Sequence, residues 1–228
     1  MEFKENGYTV IKNTISKDLA DFIYKYFLLK RKTAHTLFTS KFISPYNKSF
    51  GTWDDDQVPE TYSHYADIAM ETLLIELQEK MEKVTGLGLI KNYSYARIYK
   101  KGDILERHKD RYSCEISTTM HLGGDPWPIY INPNSNEGYV EGYKHPPHGI
   151  QHYVMSDSPG VKVDLEPGDM LVYRGNLFEH WREKFQGENC GQVFLHYTDK
   201  NTAGAKENEN DLRLHLGLPQ EFKNAKVQ

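Results

Sequence analysis

The sequence predicts an α+β fold, with a helical layer followed by a double-sheet jelly roll, that is, a double-stranded β-helix. Three observations lead there. Apolar residues recur clearly at helical spacing within the first 88 positions. From residue 89 onward they come in short, often alternating runs, and turns rich in Gly, Pro, Asn and Asp divide those runs. No internal repeat or low-complexity linker interrupts the 228 residues, so one domain is expected. Its parts are a mainly helical support over 1–88, a jelly-roll core over 89–199 and a polar tail over 200–228.

In chain order, Gly7-Tyr8-Thr9-Val10-Ile11 reads as a short strand. Ser16 is placed to cap a helix in which Leu19, Phe22, Ile23 and Tyr26 follow one face. Lys30-Arg31-Lys32 suits the last turn of that helix, where cations meet the negative end of its dipole. Residues 43–62, rich in Pro, Asn, Gly and Asp, read as a loop. Met70, Leu73, Leu74, Leu77, Met81 and Val84 then recur at helical spacing, and Gly86 stands where a C-terminal cap belongs. Such a stripe is core packing and carries no function.

Beyond residue 89, Tyr93, Tyr95, Arg97 and Tyr99 alternate as in a strand, which Lys101-Gly102-Asp103 breaks. Glu115 to Leu122 is a β-branched-rich run ended by Gly123-Gly124. Residues 125–160 hold six Pro and many Gly, Asn and His, and read as mostly loop with room for short strands. Val161 to Leu165 alternates, Pro167-Gly168-Asp169 turns, and Met170–Tyr173 and Gln192–Tyr197 are strands. One weak helical stretch lies at Leu212–Leu216.

Composition narrows the class. A hydrophobic fraction of 38% with 13% aromatic residues is enough to build a core, which excludes global disorder. The sixteen Tyr suit half-buried strands and wet pockets. A net charge of −4 gives no electrostatic reason to expect general nucleic-acid binding. Cys114 and Cys190 are too few for a disulfide framework and suit no cysteine-based zinc site. The chain start lacks the apolar stretch of a signal peptide, and no run approaches a membrane span. A soluble, cytoplasmic protein without a membrane partner is therefore expected.

The chemistry concentrates at His108-Lys109-Asp110. Alternate residues on an extended chain point the same way, so this imidazole and carboxylate can converge on one ion. A second His from a distant strand would complete two His and one carboxylate on one face of an octahedron. The opposite face then stays open to exchangeable ligands, as a redox-active iron needs.

The segment from Tyr99 through Gly102 and Ile104-Leu105 to His108-Lys109-Asp110 resembles that of the prolyl-hydroxylase-like Fe(II)/2-oxoglutarate-dependent dioxygenases. In that family a strand Tyr, a Gly turn and an apolar stretch lead into His-x-Asp. Val163 to Tyr173, with its Pro167-Gly168-Asp169 turn, followed by His180, resembles the family's second block. The resemblance covers roughly residues 89–198. It implies Fe(II) held by His108, Asp110 and His180, 2-oxoglutarate and O2 as co-substrates, and hydroxylation of an aliphatic C–H, with succinate and CO2 as co-products. The substrate would be a peptide, amino acid or other small molecule. Related halogenases lack the carboxylate, so Asp110 favours hydroxylation.

The family often places a Lys or Arg about ten residues after the distal His, to pair with the co-substrate. Cys190 stands there, with Gln192 two further on. Arg182 and Lys184 are the nearest cations, and on an extended chain Arg182 shares a side with His180. Arg182 is thus the first choice of anchor, against a surface ion pair with Glu179 or Glu183. Arg97 is the second, because it shares a strand face with Tyr99, which matches the family's co-substrate-bonding Tyr; plain core packing is the alternative for Tyr99.

Other features are discounted. His145, His148 and His152 read as a loop surface, and His121 and His196 as satisfied core or pocket groups. Arg111 is placed to orient Asp110. Trp127 reads as a structural aromatic, with pocket lining as the alternative. The substrate pocket is expected from the 43–62 and 125–160 segments. Two other functions fit parts of the pattern: a non-catalytic, cupin-like module that binds metal or ligand, and an oxidative nucleic-acid demethylase, which the acidic balance disfavours.

Overall fold

A computed structural model describes residues 2–44, 46–140 and 153–224. The short helix α1 (Glu2–Asn6) leads into strand β1 (Tyr8–Ile11), and α2 (Lys17–Thr39) follows. Ser16 caps α2 as expected, its hydroxyl accepting from the Leu19 amide at 3.2 Å. The face that α2 buries differs from the expected one. Ala20, Ile23, Phe27 and Ala34 are buried, whereas Leu19 and Phe22 are 42% and 69% exposed. Alanines let the helix lie close to its support, and that close contact outweighs burying the two larger side chains. The helix also runs on to Thr39, so Lys30-Arg31-Lys32 sits mid-helix rather than in its last turn. Lys30 there pairs with Asp67, and Arg31 donates to Asn189 Oδ1 at 2.8 Å.

The segment read as a loop ends in a strand, β2 (Tyr62–Tyr65). The apolar stripe after it forms two helices, α3 (Ile68–Glu76) and α4 (Gln78–Thr85), where one was expected. The ladder breaks at Leu77, whose ψ of −5° tilts the second helix without taking Met81 out of the core. Gly86 closes α4 at φ 70°, the left-handed cap its position predicts.

The strands that follow are β3 (Leu89–Lys100), β4 (Leu105–His108), β5 (Ile116–Gly124) and β6 (Ile129–Asn132). After them come β7 (Tyr139–Val140), β8 (Tyr153–Val154), β9 (Val161–Val163), β10 (Met170–Tyr173), β11 (Glu179–Arg182) and β12 (Asn189–Asp199). They build two antiparallel sheets, a six-stranded one in the order β1-β10-β5-β12-β3-β2 and a four-stranded one in the order β4-β11-β6-β9, beside the small pair β7-β8. This is the predicted double-sheet jelly roll with its helical layer.

The two faces of the large sheet carry different side chains. Ala96, Ile98, Met120, Val193 and Leu195 pack with Phe27, Met70, Leu74 and Met81 of the helices. Each such fully buried large side chain is stabilised by roughly 1.5–3 kcal/mol through its removal from water. The alternate residues, Tyr93, Tyr95, Arg97 and Tyr99 of β3 among them, line a cavity shared with the small sheet. That alternation separates core from site.

The weak helix expected at Leu212–Leu216 does not form. The helical turns lie at Ala205–Leu212 and Gln220–Phe222, and Asn210, Asp211 and Leu212 at positive φ kink the end of the first. The kink allows Arg213 to reach Glu71 on α3 at 2.8 Å. Among the described residues no helix is long and apolar enough to cross a membrane. His145, His148 and His152 lie outside the described residues.

Candidate metal centre

β4 ends on His108, and β11 runs antiparallel to it with His180 directly opposite. Opposed residues share a face, so the two imidazoles meet with ring centroids 4.2 Å apart. Two residues beyond β4, the Asp110 amide donates to Gly175 O at 2.9 Å, which turns its carboxylate back toward both rings. Asp110 Oδ1 lies 3.7 Å from His108 Nε2 and 3.6 Å from His180 Nε2. One donor atom from each of the three residues lies within 4.8 Å of the others.

The backbone sets which nitrogen of each ring is free. His108 Nδ1 lies 2.8 Å from Glu106 O, and His180 Nδ1 lies 3.0 Å from Phe178 O. A carbonyl only accepts, so each Nδ1 carries the proton and each Nε2 keeps a lone pair aimed at the shared point. Ser117 Oγ donates to Asp110 Oδ2 at 2.6 Å. Gly175 completes the cradle: a Cβ there would stand 2.3 Å from both Asp110 Oδ2 and Ser117 Oγ. Two neutral imidazoles and a carboxylate, converging from one side, are the donor set of a divalent transition metal with open positions, so these residues fit such an ion.

Electrostatics agree with that protonation pattern. Burial and the neighbouring His180 push His108 down to about 4. Burial alone would raise Asp110, but His180, His196 and His108 outweigh it and hold the carboxyl far below the usual range.

A cavity of about 200 Å³ opens beside the cluster, lined by His108, Asp110 and His180, by Asp55 and Gln57, and by Tyr93, Tyr95, Arg97, Tyr99, Tyr173, Phe194 and His196. The expected contribution of residues 43–62 is present as Asp55 and Gln57. Of residues 125–160, only Ile129 reaches the cavity among the described residues, because β6 belongs to the wall of the small sheet.

Arg97 and Tyr99 both line this cavity, and Arg97 Nη1 donates to Tyr99 Oη at 3.2 Å. Arg182 does not line it and is 1% exposed. Its guanidinium donates to Trp127 O and, at 3.1 Å, to Thr119 Oγ1, while its Nε is buried without a partner. It makes no surface ion pair with Glu179, which is buried and pairs with Arg107 at 3.3 Å. Among the described residues, no carboxylate is among the groups that shift Arg182. Lys184 is exposed.

Arg111 differs from expectation. It pairs with Asp211 of the C-terminal segment at 2.8 Å and lies over the Tyr93 ring, because the chain after Asp110 turns outward to meet that segment. Ser117 orients Asp110 in its place. Trp127 is a structural aromatic, edge-on to Tyr99 at 4.7 Å, with Nε1 donating to Glu183 O at 2.8 Å. His196 is a pocket group stacked on Tyr93, and His121 is a buried one beside Gln192.

Sequence reasoning passes over Ser117, Thr119, Gly175, Asp55 and Gln57. Ser117, Thr119 and His121 form a polar every-second-residue row in a run otherwise read as core, and that row was the available signal.

Compared by sequence, the chain matches no protein family and no curated protein. Compared by structure, its fold is that of the 2-oxoglutarate/iron(II) oxygenases. It is similar to a prolyl-4-hydroxylase of Pseudomonas putida, with TM-score 0.56 and 13% identity over 88% of this chain and 96% of the other. It is similar to HygX of Streptomyces hygroscopicus, solved with nickel, 2-oxoglutarate and hygromycin B, with TM-score 0.58 and 13% identity over 87% and 85%. A Trichoplax adhaerens prolyl hydroxylase bound to a hypoxia-inducible-factor peptide fragment gives TM-score 0.55 and 12% identity over 87% and 86%. Likeness at such identities is a likeness of fold.

Proposed function

We propose that this protein is an Fe(II)- and 2-oxoglutarate-dependent oxygenase that hydroxylates an aliphatic C–H of a small molecule, amino acid or peptide. The observation that carries the reading is the pair of imidazoles whose Nδ1 atoms are tied to backbone carbonyls, so that both Nε2 lone pairs face Asp110. His108, Asp110 and His180 would hold the ion. When bound, iron with 2-oxoglutarate and O2 supplies the oxidising power that no side chain has, releasing succinate and CO2. The protein's own residues hold, orient and exclude water.

Arg182 is the proposed partner of the distal carboxylate of 2-oxoglutarate. A buried guanidinium without a carboxylate costs several kcal/mol, a debt that an anionic ligand cancels. Arg182 and His180 are alternate residues of β11, roughly 6.6 Å apart along the strand. The cation would thus come from β11, two residues after His180, where the resemblance leads one to look about ten residues after it. Thr119 supports the same end of the site through its bond to Arg182.

The test is succinate formation from 2-oxoglutarate by the iron-loaded protein. His108→Ala, Asp110→Ala and His180→Ala are each expected to abolish iron binding or turnover while the circular dichroism spectrum stays native. Turnover retained in any of them defeats the assignment.

A further inference from the structure

Two arginines are almost wholly buried within the jelly roll, and they are partnered differently. Among the described residues, Arg182 has no carboxylate acting on it. Arg97 has one, Asp55, delivered by the segment that precedes β2. Asp55 Oδ2 accepts from Arg97 Nη2 at 2.6 Å and also from the Tyr95 hydroxyl. Gln57 Oε1 accepts from both Nη atoms of Arg97 at 3.2 Å. The amide of the same Gln57 reaches His108 Nε2 at 3.0 Å. Asp55 and Gln57 therefore span the cavity from its cation to the nitrogen that faces Asp110.

Two features set this arrangement apart from an ordinary structural ion pair. The imidazole Nε2 has a single lone pair, so it accepts from Gln57 or ligates an ion, never both. A metal at His108 therefore displaces the Gln57 amide and removes one of the bonds that hold this segment on Arg97. In addition, the receptor is built more deeply than its occupant. Arg97 is 2% exposed, with its Nε buried and unpartnered among the described residues, whereas the Asp55 side chain is 16% exposed and Asp54, Asp56 and Gln57 are exposed. Displacing Asp55 would move a segment in which Asp54, Asp56 and Gln57 are exposed.

We propose that Arg97, with Tyr95, receives a carboxylate of the primary substrate, and that Asp55 fills this place until the substrate arrives. The proposal rests on the oxygenase reading of the metal centre and narrows its substrate to a small carboxylic acid, amino acids included. The reacting carbon would lie within the gap that the single Gln57 amide group bridges, 3.2 Å from the Arg97 Nη atoms at one end and 3.0 Å from His108 Nε2 at the other. A cavity of about 200 Å³ suits an acid of that size. Tyr93 and Phe194 supply an apolar wall for its carbon skeleton.

The experiment titrates propionate, and propionamide as its neutral counterpart, into protein already loaded with nickel and saturating 2-oxoglutarate. The heat of binding and the Arg97 Nε–H resonance are followed. If Asp55 holds Arg97 for about nine-tenths of the time, Asp55→Asn tightens propionate binding about tenfold. The Arg97 resonance shifts, propionamide produces neither effect, and Arg97→Gln removes both. Should Asp55→Asn fail to fold, Gln57→Ala loosens the same hold and is expected to tighten binding to a smaller degree. Propionate affinity unchanged in the folded variant, equal binding of propionamide, or an unmoved Arg97 resonance each overturn the proposal. Repeating the titration without nickel and 2-oxoglutarate separates the two claims. Failure of those two to bind defeats the oxygenase reading, and the carboxylate site is then decided by the metal-free titration alone.

Discussion

Ser117 Oγ donates to Asp110 Oδ2 at 2.6 Å, and the same hydroxyl lies 3.0 Å from His196 Nδ1. A hydroxyl has one proton, so with that proton on Asp110 it accepts from His196. Asp110 is thereby held on one side by β5 and on the other by the Gly175 backbone, leaving Oδ1 toward the two histidines. Partners of this kind are typically worth 10- to 100-fold in metal affinity. Ser117→Ala is expected to weaken nickel or iron binding by about that factor, measured by chelator competition, with the fold retained. Unchanged affinity would remove Ser117 from the site.

What the sequence made legible follows from how local each signal is. His108 and Asp110 are two residues apart, and each metal block carries its own turn, so their chemistry shows in a short window. The Ser16 and Gly86 caps are local in the same sense, and both formed where expected. The buried face of α2 was misread because what selects Ala20 and Ala34 over Leu19 and Phe22 is the surface the helix lies on, which its own periodicity does not contain. Asp55 and Gln57 were invisible as site residues for a related reason. They come from a segment without periodicity and reach Arg97 and His108 across about 40 to 50 positions. Arg111 looked like a support for Asp110 because the two are adjacent, yet its partner Asp211 is 100 positions away.

Arg182 allows stability and function to be separated. It is buried without a carboxylate partner, and burial pushes its pKa down. Replacing buried ion pairs by well-packed apolar side chains of similar volume is often neutral or stabilising by about 1–4 kcal/mol, and a buried charge without a carboxylate partner has less Coulombic gain to lose. Arg182→Met is therefore expected to have a Tm equal to or above that of the wild type without ligands. It is also expected to lose the rise in Tm that 2-oxoglutarate and nickel together confer on the wild type, with nickel affinity little changed. A variant that still gains stability from 2-oxoglutarate as the wild type does would move the co-substrate's anchor elsewhere.

Asp67 gives the fold a pH dependence of definite sign. Its side chain caps α3, accepting from Ala69 N at 2.9 Å and Met70 N at 3.2 Å, and also meets His64, Lys30 and Tyr26. Burial alone would raise its pKa, but the His64 bond, the Lys30 charge and the Tyr26 hydroxyl outweigh it and hold the carboxyl well below the ordinary range. A depressed folded value means that the stabilisation is fully present above the unfolded pKa, about 3.9, and is lost as pH falls through the folded one. Asp67→Asn is expected to cost roughly 3–5 kcal/mol at pH 7, the scale for breaking a buried pair. The gap from wild type should narrow steadily below about pH 4 in urea titrations. A gap constant from pH 7 to pH 2 would refute the linkage.

Glu71 and Arg213 form a buried contact between the C-terminal segment and the body of the protein. Arg213 Nη2 meets Glu71 Oε1 at 2.8 Å and Nη1 meets Oε2 at 3.3 Å, a two-pronged pair with both side chains buried. Glu71 also accepts from Ser94 N at 3.3 Å and from Gly217 N. Removing one partner strands the other charge in the core, so Glu71→Leu or Arg213→Met alone should each cost roughly 3–5 kcal/mol. Glu71→Leu combined with Arg213→Met leaves no stranded charge and should cost less than the sum of the single losses. The segment so released also carries Asp211, the partner of Arg111 beside the metal cluster. The single variants are therefore expected to bind nickel more weakly as well as to melt earlier. Chemical denaturation of all four proteins, with chelator competition alongside, measures both effects. Additive losses in the double variant would show that the pair is not coupled.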